Sequence, residues 1–432
     1  MPLFILIQIS AIIGISSFIT NKISLNFTHS IPITISIIVS LLFCGDAFGI
    51  IYYLSLMISL VGILMLLNCY ITNKDFILMM VKFRLEIVTV FIFTSLFFIF
   101  LQNTFLTAAD DLVFWGLFSK EIFTHHTVFP TKITLTLPET HYHYPRGIFY
   151  LQYFLLYYSK ISDSLLLFVH FLIHLLLAAP FFVSRHFWLG TVLFLTLYFF
   201  PIKESYGLIS TYNDSVIGFL MSSAIAIFIQ SKDKYRSLLN ATPIFFVIPI
   251  YREVGLWMAM IYAIIFFLIL FLAKQKNRFF TDKYLILLSL ISITLIANSL
   301  WFLFVDYYGS LGRNPHELSK ILGILSDIFN NDPYSWKIIS HFFSRFSKGL
   351  IRESFIFTYI IIILSYYFIF RFRKDLVKEY TTVLCLCLVG FLIFLAFRLY
   401  IYILMLDKIY GSIDSINMNC LIRYATSYIV TI

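Results

Sequence analysis

A chain of 432 residues that is 60% hydrophobic and only 12% charged lies outside the range of soluble globular domains and inside that of polytopic membrane proteins. The formal charge of +9 is modest for this length, and Lys and Arg fall in short blocks between apolar runs, which argues against nucleic acid as a partner. Five cysteines, Cys44, Cys69, Cys385, Cys387 and Cys420, show neither metal-ligand nor disulfide-framework spacing, and no chemistry is assigned to them.

A spanning helix needs roughly 20 apolar residues. Runs of that kind occur near 3–20, 25–44, 49–71, 84–102, 163–183, 187–201, 209–230, 241–273, 284–305, 353–370 and 379–403. The first lacks a basic flank and a small-residue cleavage site, so it reads as a membrane helix and not as a removed signal peptide. The expected fold is an all-α polytopic membrane protein, one transmembrane domain over 1–432 with about 11–13 crossings. Basic blocks at Lys74 to Arg84, Arg185, Lys232 to Arg236, Lys274 to Lys283 and Arg371 to Lys378 mark the cytoplasmic side. The segments 103–147 and 306–352 then form two large outer loops, the first carrying a short interfacial helix. Two pieces must bend to fit this topology. The run 241–273 has to leave and return as a broken hairpin with limbs of about 10 and 20 residues and its tip at Tyr251-Arg252-Glu253. The piece 148–159, about 12 residues rising about 18 Å, is too short to cross and reads as half-inserted. Heavy use of Phe, Ile, Asn and Lys points to an AT-rich genome and hints at a bacterium, where the expected location of a multi-pass chain is the inner (plasma) membrane.

The long polar interruption at 109–152 holds most of the candidate chemistry. Asp110 and Asp111 precede Leu112 to Phe123, in which Asp111, Trp115, Phe118 and Ile122 share one helical face. One carboxylate would suffice to cap that helix. Two at a bilayer boundary, where ionised groups are costly, point to a catalytic role for one of them. In His141-Tyr142-His143-Tyr144-Pro145-Arg146-Gly147, Pro145 biases Tyr144 to an extended form, which sends His141 and His143 to one side. That pair is open to interfacial hydrogen bonding or to metal ligation, with a third ligand supplied only through folding. Arg146 is placed either to snorkel to headgroups or to clamp a lipid phosphate through its planar fork. Asp214 opens an apolar helix and fits a cap, and Arg252 with Glu253 fits a self-satisfying ion pair at the hairpin tip. All three fall on the same expected face as Asp111. Arg313, His316, Lys320, Lys337, Arg345, Lys348 and Arg352 give the second outer loop a basic surface suited to anionic headgroups or a phosphorylated lipid.

The order of these motifs resembles the bacterial integral-membrane glycosyltransferases of the GT-C fold class, relatives of the dolichyl-phosphate-mannose–protein mannosyltransferases. The matching pieces are DDLVFWGLFSKEIF, HYHYPRGIFYLQYF, TYNDSVIGF, YREVG and the late CLIRY with Arg423, in order over roughly 84–424. Arg146 stands where a second Pro is common, and Val254 interrupts a Glu-Gly pair. The resemblance implies a GT-C-like bundle and an inverting transfer of a sugar from a polyprenyl-phosphate donor to a lipid, glycan or protein acceptor on the periplasmic or extracellular face. Asp110 or Asp111 would be the general base. His141, His143, Tyr144, Arg146, Asp214, Arg252, Glu253 and Arg423 would bind donor phosphate or substrate. A divalent metal is compatible with this chemistry and not required by it. Two other classes compete. A transporter or flippase of a lipid-linked saccharide would show charges midway along its spans or two related halves. A surface-polysaccharide polymerase or ligase would carry its main functional loop late in the chain.

Overall fold

The structure, a computed structural model, describes residues 3–23, 25–72, 84–106, 116–129, 145–182, 214–231, 233–272 and 280–307, with isolated positions between 187 and 395. The described residues hold eleven α-helices and no strand. In chain order they are α1 (Leu3–Ile23), α2 (Phe27–Ala47), α3 (Ile51–Thr72), α4 (Arg84–Leu101), α5 (Gly116–His125), α6 (Gly147–Leu156), α7 (Asp163–Leu177), α8 (Asp214–Gln230), α9 (Lys234–Tyr251), α10 (Glu253–Leu272) and α11 (Phe280–Tyr307). Helices α1, α2, α3 and the Lys283–Val305 part of α11 are long and apolar enough to cross a bilayer. Five further apolar stretches, in α4, α6, α7, α8 and α10, are shorter. The expected spans at 187–201, 353–370 and 379–403 and the second outer loop lie largely or wholly outside the described residues.

The outward faces show what solvent these helices meet. On α3, Tyr53, Met57, Leu60, Leu64, Leu67 and Ile71 are exposed, and on α4 Leu85, Val88, Ile92, Leu96 and Ile99. Steps of three and four place each set on one stripe of its helix. Apolar stripes this long are stable facing lipid and not facing water. The chain is therefore an all-α polytopic membrane protein.

Inside the bundle, burial of apolar surface does little to hold helix to helix, because lipid tails are as apolar as leucine; small residues and hydrogen bonds take over. Helices α1 and α3 run parallel in close contact. A Cβ on Gly14 would fall inside the Gly62 carbonyl, and one on Gly62 would lie 2.6 Å from the Ala11 carbonyl oxygen. Hydroxyls stitch the same region: Ser16 Oγ donates to Thr34 Oγ1 at 2.9 Å, Thr20 Oγ1 to Ser30 Oγ at 2.9 Å, and Ser59 Oγ to Gln8 Oε1 at 2.7 Å. Each such bond contributes about 0.6 kcal/mol.

Helices α9 and α10 are the expected hairpin, broken at one extended residue, Arg252 (φ −169, ψ 152). A Cβ on Gly255 would meet the Ile248 carbonyl, so the tight return needs glycine there. The first limb is longer than the hydropathy indicated. Asp233 caps α9 by accepting from the Arg236 N–H at 3.1 Å, and the charged first turn Lys234-Tyr235-Arg236 hides the helix start. The piece read as half-inserted holds helix α6, ten residues that lie across one end of the bundle. Gly147 packs on Ile250 and Tyr251 at the end of α9, and Tyr150 on Asp46 at the end of α2. Beyond the helix, Tyr157 meets Tyr52 at the start of α3, and Tyr158 meets Phe4 at the start of α1. All ten residues of α6 are buried, with α5 packed alongside.

Candidate functional site

The bundle end crossed by α6 is where the polar residues collect. Helix α5 turns Phe118 and Ile122 inward, two members of the predicted apolar face; Asp111 and Trp115 of that face lie outside the described residues. Phe118 stacks on Phe149 at 6.2 Å between centroids, and Ser119 Oγ donates to Gln152 Oε1 at 2.7 Å, so α5 is pinned to α6 by one apolar and one polar contact. Lys120 reaches the first residue of α7, with its Nζ 2.7 Å from Asp163 Oδ1. The Leu106 N–H donates to the other oxygen of the same carboxylate at 3.3 Å. Asp163 thus ties down the chain on both flanks of the 107–115 segment.

Helix α5 ends at His126, which takes a left-handed backbone (φ 51) and caps the helix by donating its N–H to the Ile122 carbonyl at 2.8 Å. That conformation is uncommon outside glycine. The ring of His126 offsets it by bonding through Nδ1 to the Tyr153 hydroxyl at 2.7 Å. The reversal sends Thr127-Val128-Phe129 down between α2 and α11, where the Phe129 ring lies 5.5 Å from Trp301 and 6.2 Å from Phe43.

At the bottom of this turn sits an acid–base pair joined through the backbone of one residue, Val128. The Val128 N–H donates to Asp46 Oδ2 at 2.8 Å, and Arg146 Nη1 donates to the Val128 carbonyl at 3.0 Å. The Tyr150 hydroxyl donates to the same Asp46 oxygen at 2.9 Å, and the Thr127 side chain also faces that carboxylate. Asp46 and Arg146 are each only 1% exposed. The guanidinium lies 3.7 Å over the Phe118 ring, a cation–π geometry worth about 2 kcal/mol where water is excluded. Beside it is a small cavity of about 10 Å³, room for one water molecule, lined by Phe118, Glu121, His125, Thr127, Arg146 and Phe149 among others.

Glu121 Oε2 is buried without a hydrogen-bond donor among the described residues. Burial pushes the Glu121 carboxyl above the usual range, and the nearby charges of Arg146 and His125 hold it down only in part. Between the ordinary range and this raised one, the folded chain keeps a proton that the unfolded chain has released. Folding therefore gains stability as pH falls through that window and loses it as pH rises. Glu121→Gln is expected to flatten the dependence of the thermal midpoint on pH just above about 4.3. Equal slopes for the variant and the parent protein would remove this assignment.

The structure places two of the sequence-predicted residues on adjoining backbone segments. Arg146, at the start of α6, and Arg252, at the α9–α10 break, are both buried, and the backbone of Gly147 packs against Ile250 and Tyr251. Arg146 does not snorkel: its head is inside, on an aromatic face and a carbonyl. Asp214 and Glu253 each open a helix, and their side chains lie outside the described residues, as do Asp110, Asp111, His141, His143, Tyr144 and Arg423. Among the described residues no group of three His, Cys, Asp or Glu could hold a metal. Sequence reasoning missed Asp46, Tyr150, Glu121 and Asp163. The one available signal was Asp46 itself, an acid in the short Gly45–Gly49 break between two apolar runs. No family model matches the chain, and no curated protein or solved structure is significantly similar to it.

Proposed function

We propose that this protein is an integral-membrane glycosyltransferase of the GT-C type, moving a sugar from a polyprenyl-phosphate donor to an acceptor on the noncytoplasmic side of a bacterial plasma membrane, with inversion. The observation that carries the reading is that two buried arginines, Arg146 and Arg252, stand on adjoining backbone segments at the bundle end where Leu106 and Gly116 flank the acidic pair in sequence. Buried cations with few competing waters suit a lipid phosphate, which gains negative charge as the sugar leaves. A phosphate with screened charge departs without a protonating acid. What the reaction then needs is a base for the acceptor hydroxyl, and Asp110 or Asp111 supplies it. The remaining candidates, His141, His143, Tyr144, Asp214, Glu253 and Arg423, would complete the donor and acceptor contacts.

The test is turnover. The purified full chain, reconstituted in lipid with a panel of radiolabelled polyprenyl-phosphate sugars and a membrane extract as acceptor, is expected to release polyprenyl phosphate and label an acceptor. A chain that consumes none of the donors, yet moves a lipid-linked saccharide across the vesicle bilayer, would make the flippase reading the correct one.

A further inference from the structure

We propose that Asp46 is a positioning residue of the phosphate site: acting through the Val128 backbone, it fixes the Arg146 guanidinium and so sets how strongly this protein prefers a phosphorylated polyprenyl lipid. The inference rests on the glycosyltransferase reading of the same site.

The geometry is a clamp on one residue, Val128, held at both of its backbone polar groups. Its N–H points to Asp46 Oδ2 at 2.8 Å, and its carbonyl receives Arg146 Nη1 at 3.0 Å. The N–H and the carbonyl of one residue lie in successive peptide planes, so Asp46 fixes the first plane and Arg146 is held by the second, with only the φ and ψ of Val128 between them. One bond ends on a carboxylate and the other starts from a guanidinium, so each is charge-assisted. Asp46 lies in α2, at the turn into α3, whereas Arg146 stands at the head of α6, 100 positions later in the sequence. Tyr150, one turn into α6, donates to the same Asp46 oxygen at 2.9 Å. A single carboxylate oxygen therefore holds both the turn that meets Arg146 and the helix that carries it. With Asp46 neutralised, the Val128 backbone is free to shift, and Arg146 loses the fixed carbonyl that aims it.

The experiment measures binding of polyprenyl phosphate and of unphosphorylated polyprenol to the purified full chain in lipid nanodiscs. The parent protein is expected to prefer the phosphate. Arg146→Met is expected to abolish that preference and leave polyprenol binding unchanged. Asp46→Asn, which keeps size and shape, is expected to lower the phosphate preference about tenfold, the scale of one weakened charge-assisted bond, with polyprenol binding again unchanged. Tyr150→Phe loosens α6 without touching the peptide bridge and should stay within about twofold of the parent preference, though its thermal midpoint falls. If Asp46→Asn does not fold, Asp46→Glu, which keeps the charge and displaces it by one methylene, carries the same expectation of reduced preference. Parent-like preference in the Asp46 variant alongside its loss in Arg146→Met overturns the proposal and leaves the functional reading intact. Equal losses in the Asp46 and Tyr150 variants overturn it as well, since they reduce Asp46 to packing. A parent protein with no preference for phosphate removes the functional reading itself.

Discussion

Asp110→Asn and Asp111→Asn, made singly, are expected to separate into one variant that retains most of its sugar transfer and one that loses it by about 10²–10⁴-fold. Asparagine matches aspartate in size and still accepts a hydrogen bond from an acceptor hydroxyl, so substrate can dock. It cannot take the proton, and the hydroxyl must then attack as a neutral, weaker nucleophile. The same variant should bind polyprenyl phosphate as the parent does, because the proposed mechanism gives the phosphate to the cations and the acceptor proton to the base. The pH–rate profile supplies a second measurement. In the parent, transfer should rise with the ionisation of one carboxylate, and that limb should be missing from the impaired variant. If both single variants turn over at the parent rate, neither acid is the base, and the mechanism proposed for this end of the bundle is wrong.

How much of this was legible in the sequence follows from the range of the interactions concerned. The apolar runs at 3–20, 25–44, 49–71 and 84–102 became helices over 3–23, 27–47, 51–72 and 84–101, because spanning length and hydropathy are local properties. The hairpin tip at Arg252 was readable for the same reason: a charged pair interrupts an apolar run. So was the inability of 148–159 to cross. The direction α6 takes instead was not readable, since ten apolar residues buried within a bundle look the same as ten entering lipid. Arg146 shows the limit best. Its sequence neighbours favour a snorkelling side chain, but Phe118 and the Val128 carbonyl, 28 and 18 positions earlier in the chain, give the guanidinium a better site inside. Asp46 finds its donors 82 and 104 positions away, and no pattern within a helical turn encodes such a partnership. The motif order that resembles the glycosyltransferases is likewise a list of local signatures. The backbone packing of Gly147 on Ile250 and Tyr251 then joins two of them, the segments bearing Arg146 and Arg252.

Gly62→Leu is expected to cost at least about 3 kcal/mol, at the upper end of what overpacking inflicts. The reason is that its Cβ would meet backbone and not a flexible side chain: the Ala11 oxygen at 2.6 Å and the Ala11 Cα at 2.7 Å. Neither atom can rotate away, so α1 and α3 must move apart along their length. Separation undoes the Ser59–Gln8 hydrogen bond and the close contact at Gly14 together. Lipid fills the gap without restoring either, since helices in a bilayer are not driven back together by water. The loss also reaches the site, because α1 and α3 begin at the end of the bundle where Phe4 and Tyr52 support Tyr158 and Tyr157 behind α6. Thermal unfolding in detergent should show the loss directly, and Gly14→Ala, whose methyl would fall on the Gly62 carbonyl oxygen, should show one as well. The double variant, Gly14→Ala with Gly62→Ala, should cost less than the sum of the two single changes, because helices already parted by the first methyl admit the second at little further expense. Strict additivity would mean that the two glycines sit at independent contacts, and the single tight α1–α3 seam would then be the wrong description of this pair.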